Sequence, residues 1–344
     1  MSATFEPQRI AWVIYGALEQ VTGGYIYDRL VVEQLRALGD QVTIVSLTPG
    51  DPTPDLDVQA YDVVVGDELC FRELSPMFQQ LPSLRRVLLI HHLTGWEHPL
   101  GAEQSALLAL EKAAIDAADA CVATSHLTAD RLHAEGLARG VRVAEPGADR
   151  MPRSTTGGQE PSGLRLRLLF VGNLLRRKRV LELVQAFGGL PTAHAELVLV
   201  GAELEPDYAA ELRAAIAVAE LTPRVRFLGS LPADGVAEQL ALADALVLPS
   251  ALEGYGMVLS EALWASVPVI AARVGAAEKL VSATSAGLLF DPEDHAALAA
   301  TIGAFIGDPA LRLRLRRAAW DAAEVLPRWQ DTALALRSAL VAAR

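Results

Sequence analysis

Short apolar runs alternate with longer stretches of helical period along the whole chain. Residues 10–16 (IAWVIYG) read as a buried strand closing on glycine. Behind it, Leu30, Val31, Leu35 and Leu38 share one helical face, and Gly39 suits the helix end. Residues 41–47 (QVTIVSL), 62–67 (DVVVGD) and 86–92 (RVLLIHH) predict three more strands. Residues 101–120 predict a long helix, and 121–125 (CVATS) the strand after it. The strands are continuously apolar, as in a sheet covered on both faces. Strand and helix alternating in this way predict a parallel sheet with right-handed crossovers.

After residues 142–150 (RVAEPGADR) the texture changes. Residues 151–163 (MPRSTTGGQEPSG) have Pro, Ser, Thr and Gly and no hydrophobic period, which predicts a linker. A second strand–helix series then runs through LRLLFVGN, AELVLVG, RVRFLGS, ALVLPS, VPVIAA and GLLF. The predicted division is a domain over 1–150, a second over 164–325, and a last helix over 326–344 that packs back toward the first domain. The fold class is α/β: two Rossmann-like, doubly wound parallel-sheet domains facing a central cleft.

Composition agrees with that pattern and narrows the partners. A chain of 344 residues suits two α/β domains. With 51% hydrophobic and only 6% aromatic residues, it favours helices packed on sheets over an all-β sandwich. A net charge of −12 argues against a nucleic-acid partner. The charge is uneven: residues 1–150 carry a net of about −10 and the remainder about −2 by residue count, so the second half is the better host for an anion. Cys70 and Cys121 form no framework and no metal-ligand spacing, and read as buried free thiols of a cytoplasmic protein. The first residues do not form a secretory signal, and no stretch approaches ~18 consecutive apolar residues, so membrane contact is at most peripheral. The arginines of residues 311–320 (LRLRLRRAAW) do not gather on one face and read as solvated helix surface.

The densest chemical signal is residues 245–274 (ALVLPSALEGYGMVLSEALWASVPVIAARV). A buried strand ends at Leu248, Pro249 and Ser250 break it, and the loop ALEGYG leads to a helix from about Met257 to Ala265. Another buried strand follows. Gly254 and Gly256 let the backbone approach a ligand, and the unpaired N–H groups of the helix start suit a phosphate or sugar oxygen. Glu253 precedes the helix, and Glu261 lies just over one turn inside it. A carboxylate accepts hydrogen bonds from two hydroxyls at once, which suits a sugar or a ribose. An isolated pair of glutamates reads as surface residues; the strand–loop–helix–strand setting makes these two candidates. A second signal is residues 168–187 (LLFVGNLLRRKRVLELVQAF), where Arg176, Arg177, Lys178 and Arg179 cluster before a helix predicted near Val180. Cations there oppose the helix macrodipole. A bound anion would explain them, and a solvated basic loop is the alternative. His91 and His92 end a predicted strand, while His98, His126, His133, His194 and His295 read as structural.

Residues 249–275 resemble the donor-binding signature of the retaining family 4 glycosyltransferases, which have the GT-B fold. The shared pattern is Pro-Ser, a glutamate, seven residues, a second glutamate and a Pro-Val-Ile strand. The resemblance implies a nucleoside-diphosphate sugar donor, UDP- or GDP-linked. It places Glu253 near the transferred sugar, Glu261 on the ribose hydroxyls, and the amides of Gly254, Tyr255, Gly256, Met257 and Val258 on the sugar and diphosphate. Ser266 stands where the family usually has glycine, at the helix end, and a small structural effect is expected. Residues 168–187 resemble the family's strand–Gly-Arg–Lys-Gly–helix element, whose Arg and Lys hold the diphosphate. Lys178 falls on the Lys position and Asn173 on the Arg position, a departure that Arg176 or Arg177 could compensate. Gly23 and Gly24 resemble the family's N-terminal glycine loop, with a tight turn as the alternative. One of His91 and His92 occupies the place of a histidine that contacts the donor sugar. Residues 227–230 fall where the family's backbone meets the nucleotide base.

The implied reaction is retaining, metal-independent transfer of a glycosyl group by a hexosyltransferase-type enzyme without a cofactor. The acceptor is open: a glycan, a lipid or a small metabolite. A nucleotide-sugar epimerase of the same fold, or a non-catalytic partner subunit, is the alternative reading.

Overall fold

In the computed structural model, residues 6–154, 165–190 and 194–341 are described. Most of the linker expected over 151–163 therefore lies outside the described residues. The chain runs β1 (Arg9–Tyr15), α1 (Gly23–Ala37), β2 (Gln41–Leu47), β3 (Val63–Asp67), α2 (Phe71–Gln80), β4 (Arg85–Ile90), α3 (Ala102–Ala117), β5 (Ala120–Ala123), α4 (His126–Ala134) and β6 (Arg142–Val143). It continues as β7 (Leu166–Val171), α5 (Val180–Gly188), β8 (Ala195–Val200), α6 (Pro206–Val218), β9 (Val225–Gly229), α7 (Ala233–Leu242) and β10 (Ala245–Leu248). The remainder is α8 (Met257–Trp264), β11 (Val269–Ala272), α9 (Ala277–Thr284), β12 (Gly287–Phe290), α10 (His295–Gly307), α11 (Pro309–Ala322) and α12 (Trp329–Val341). Two compact units result: Met1–Gly147 with Pro327–Arg344, and Ala148–Leu326. The first division falls after Gly147 rather than after residue 150, because Ala148 and Met151 are buried in the second unit's core.

The first unit is built on a six-stranded parallel sheet of order β2-β1-β3-β4-β5-β6. Ile10, Ala11, Trp12, Val13 and Ile14 have no exposed surface, which is what an apolar run without alternation predicts for a central strand. The buried face of α1 is Tyr25, Tyr27, Asp28, Val31, Val32 and Leu35, so Leu30 and Leu38 lie only at its edge. Helix α12 completes this unit. Trp329 packs edge-on against Tyr27 at 5.6 Å. Thr332 Oγ1 donates to the Glu145 carbonyl at 2.7 Å, and Arg337 pairs with buried Asp40 at 2.9 Å. A side chain on Gly147 would lie 2.2 Å from the Trp329 nitrogen, so only glycine lets α12 start there.

The second unit has the order β12-β11-β10-β7-β8-β9, again all parallel. Read from β9, this is third, second, first, fourth, fifth, sixth: the doubly wound arrangement with its reversal between β7 and β10. Local chemistry sets the helix starts. Asp308 Oδ1 accepts from the Leu311 N–H at 3.0 Å, and Pro309 opens α11 where no N–H is needed. Of the α11 arginines, Arg314 and Arg317 are exposed as expected, whereas Arg312 and Arg316 depart from a solvated surface. Arg316 is buried and donates to the Ala243 carbonyl at 2.6 Å, and Arg312 donates to the Ile306 carbonyl at 2.7 Å. Both satisfy carbonyls left open at the ends of neighbouring helices. Cys70 and Cys121 are free and buried. Among the described residues no single helix is long and apolar enough to cross a membrane.

Candidate functional site

In the second unit, the chain leaves β7 and β10 toward opposite sides of the sheet. That reversal opens a crevice at the carboxyl ends of the two strands. Two loops meet there, residues 172–179 and 249–256. The Ala251 N–H donates to the Arg177 carbonyl at 2.8 Å, and Arg177 Nη1 donates to the Leu252 carbonyl at 3.4 Å. Lys178 and Glu253 close an ion pair between them, and Ser250 Oγ donates to the same Glu253 oxygen at 2.6 Å. Both charged side chains are largely buried. Burial alone pushes the Glu253 carboxyl up. Lys178, Ser250 and Arg177 together outweigh burial and hold it below the ordinary range, so the glutamate stays charged.

The geometry behind Glu253 is tight. A side chain on Gly275, whose φ is +58°, would lie 2.7 Å from the Glu253 carbonyl oxygen. Gly256, at φ +81°, turns the loop into α8, and no side chain caps that helix start. The positive end of α8 is thus presented beside Glu253 and Lys178. Tyr255 is buried, while Gly254, Met257 and Val258 are partly exposed. Glu261, the fifth residue of α8, is almost fully buried. It takes a bidentate pair from Arg150, with Nε to Oε1 at 2.7 Å and Nη2 to Oε2 at 2.8 Å.

The basic cluster is divided among several partners. Arg176 pairs with Glu211 at 2.9 Å and lies over the Tyr208 ring. Arg179 donates to the Pro292 carbonyl and pairs with Glu293 at 3.1 Å. Arg177 and Lys178 reach the loop after β10 instead. Asn173 Oδ1 accepts from the Ala202 N–H at 3.3 Å, so this side chain braces the neighbouring loop. Among the candidates, the structure brings together Lys178, Glu253, Arg177 and the α8 start. Arg150 and Ser250 were missed. Ser250 sits in the Pro-Ser break and could have been suspected; nothing near Arg150 in sequence marks it.

In the first unit, the sheet order reverses between β1 and β3, and a second group gathers there. Gly23 and Gly24 are not a loop but the first residues of α1. A side chain on Gly24 would touch the His91 ring at 3.4 Å. His91 follows β4, and its Nε2 lies 3.3 Å from Asp28 Oδ1 and 3.8 Å from Asp67 Oδ2. Trp12 Nε1 donates to the other Asp28 oxygen at 3.2 Å, and the Leu69 N–H to the other Asp67 oxygen at 2.8 Å. His92 points elsewhere, with Nε2 2.8 Å from Glu97 at the surface. Among the described residues no lysine or arginine pairs with Asp28, Asp67 or Glu68.

Burial drives the Asp28 carboxyl up to about 7. It drives Asp67 up as well, helped by the Asp28 charge, and Glu68 likewise. Burial lowers His91, which favours the neutral ring. The ligand atoms of Asp28, Asp67 and His91 lie within 4.8 Å of one another, the spacing a cation would need. Asp67 Oδ2 is buried without a hydrogen-bond partner among the described residues, and burial favours the protonated form of both carboxyls. Sequence reading found His91 and missed both aspartates.

The family described as glycosyl transferases group 1 matches residues 160–321, the segment that holds both loops. The chain is 31% identical over 236 residues to D-inositol 3-phosphate glycosyltransferase of Xylanimonas cellulosilytica, covering 62% of this chain and 56% of that protein. It is 32% identical over 201 residues to glycogen synthase of Mycobacterium tuberculosis, covering 58% of this chain and 46% of that protein. The chain thus spans about half the length of the curated relatives it matches. Among solved structures, sucrose-phosphate synthase from Thermosynechococcus elongatus superposes with a TM-score of 0.81 at 24% identity, covering 96% of this chain and 98% of that one. Anabaena HepE, in complex with UDP and glucose, superposes with a TM-score of 0.79 at 20% identity, covering 97% and 99%. The two six-stranded parallel sheets and these superpositions give the GT-B fold, and residues 160–321 of the chain match the glycosyl transferases group 1 family.

Proposed function

We propose that this chain transfers a glycosyl group from a nucleoside-diphosphate sugar to an acceptor nucleophile, with retention at the anomeric carbon and without a metal. The observation that carries the reading is the Lys178–Glu253 pair, set between the two loops at the β7/β10 reversal and beside the open start of α8. The hard charge in such a reaction is the one building on the departing diphosphate. A fixed ammonium and a helix N-terminus stabilise it with no proton transfer. Lys178 is the ammonium, and Met257 and Val258 lead the helix. Glu253, kept charged by its neighbours, accepts hydroxyls of the transferred sugar. Glu261 accepts the ribose hydroxyls. A metal has no separate task in this scheme, since Lys178 and the helix end already face the diphosphate. UDP or GDP is the proposed carrier; HepE has been solved with UDP, and the acceptor is a glycan, a lipid or a small metabolite.

The test is thermal denaturation of the purified chain with UDP, GDP, ADP and their sugars, followed by product analysis with and without acceptor. A native-state ligand stabilises by an amount that grows with the logarithm of its concentration over its Kd, so at equal concentrations the carrier that binds most tightly stands apart from the others. No shift with any nucleoside diphosphate would end the proposal. An isomerised nucleotide sugar formed without acceptor would favour an epimerase.

A further inference from the structure

We infer that Asp28, Asp67 and His91 form a binding site for one divalent cation of the zinc type, which braces the first unit. Such an ion stands apart from the donor reading, in which the transfer itself uses no metal. The three side chains come from separate elements that meet at the β1/β3 reversal. Asp28 lies in the second turn of α1, Asp67 is the last residue of β3, and His91 directly follows β4. His91 Nε2 is 3.3 Å from Asp28 Oδ1 and 3.8 Å from Asp67 Oδ2. Bonds of about 2.0–2.1 Å to a tetrahedral ion set neighbouring ligand atoms ~3.3 Å apart. The first spacing already fits, and a small rotation of the Asp67 carboxyl closes the second.

What this cluster lacks is a positive charge. Asp28 and Asp67 are almost wholly buried, and among the described residues no lysine or arginine pairs with either. Asp67 Oδ2 is buried and has no hydrogen-bond partner among the described residues. A proton on that oxygen would not settle the site. His91 Nε2, at 3.8 Å, is beyond hydrogen-bond reach, so the O–H would be buried without an acceptor. A divalent cation satisfies the oxygen and balances two carboxylates around a neutral imidazole. The remaining oxygens are already held from behind: Trp12 Nε1 donates to Asp28 Oδ2 at 3.2 Å, and the Leu69 N–H to Asp67 Oδ1 at 2.8 Å. Glu68 accepts from the His91 N–H at 3.0 Å, and the Tyr27 ring meets the imidazole edge-on at 5.1 Å, so the third ligand is fixed as well. The His91 side chain is 13% exposed, which leaves one side for entry and for a water as fourth ligand. An imidazole among the ligands favours zinc over manganese and disfavours calcium and magnesium.

The test titrates the untagged chain, stripped with chelator and dialysed, with zinc, manganese and calcium chloride by calorimetry. Zinc should bind with a Kd of about 10 μM or tighter, and manganese roughly tenfold more weakly or worse. Calcium should give no measurable heat. Asp67→Asn keeps the shape and removes the charge; it and His91→Ala should each weaken zinc by about tenfold or more. His92→Gln, at the surface beside Glu97, should bind zinc as the wild type does. If Asp67→Asn and His91→Ala fail to fold, NMR of the wild type decides, and saturating zinc should shift the His91 ring resonances. Absence of zinc binding to the wild type overturns the site. So does calcium binding as tight as zinc, zinc affinity unchanged in the folded variants, or His91 resonances that do not move. None of these outcomes bears on nucleotide binding, so the donor reading is tested separately.

Discussion

Lys178 and Glu253, 75 positions apart, hold each other in an ion pair that ties the loop after β7 to the loop after β10. Each is the other's partner before any donor arrives, so neither charge is buried alone. Replacing Lys178 by methionine should lower turnover by about 10²–10³, the usual effect of losing one oxyanion-stabilising group. It also leaves Glu253 buried without its cation, which should lower stability. Steady-state kinetics with chemical denaturation separates the two effects. The double variant Lys178→Met/Glu253→Gln should regain stability but not turnover. Full activity in Lys178→Met would remove this residue from the reaction.

Transfer should proceed undiminished in excess EDTA, and the product should keep the anomeric configuration of the donor. Proton NMR of the product under chelation reads both outcomes at once. Loss of activity that Mg²⁺ or Mn²⁺ restores would count against metal-independence, and an inverted product against retention.

The Asp28–Asp67 pair predicts a particular dependence of stability on pH. Both carboxyls are raised by burial, Asp28 to about 7, above the ordinary unfolded value. Between the two values the folded chain binds more protons than the unfolded chain, so this contribution falls as pH rises from about 4 to about 7 and then levels. His91 acts oppositely, because its lowered value makes the folded chain bind fewer protons below about 6.5. Comparing the wild type with Asp28→Asn isolates the carboxyl effect. The variant should gain stability relative to the wild type as pH rises from 5 to 8, measured by urea unfolding. A constant difference across that range would contradict the raised Asp28 carboxyl.

Ser266 follows the end of α8 in the left-handed region, at φ +65°, and its buried hydroxyl has no hydrogen-bond partner among the described residues. Glycine occupies such a position without strain, whereas another residue costs about 1–2 kcal/mol. Ser266→Gly should therefore stabilise the protein by roughly 1 kcal/mol after allowing for the looser unfolded chain. A rise in Tm with unchanged donor affinity is the expected result. No rise would mean that the local packing compensates for the strain.

Much of the fold was legible because its signals are local. Each central strand is a continuous apolar run, and each helix carries a stripe, so the order of elements follows from neighbours in sequence. Lys178 and Glu253 were legible for the same reason, since each lies within a short strand–loop–helix pattern. What was hidden depends on distance along the chain. Arg150 meets Glu261 across 111 positions, and Asp28 meets His91 across 63. Neither arginine nor aspartate carries a local mark that says it will be buried. The basic run at 176–179 is divided by folding: Arg176 and Arg179 turn to Glu211 and Glu293, while Arg177 and Lys178 reach the loop after β10.

Helix α12 belongs to the first unit although nearly two hundred residues separate it from β6. During synthesis the second unit is therefore finished while the first still lacks Trp329, Leu336 and Leu340. Of the two units, the one that emerges earlier from the ribosome is the one that matures later. Until then, the apolar flank of α1 near Tyr27 lacks the cover that Trp329 gives it, so a chain stalled before Pro327 would offer a ready foothold for chaperones or proteases.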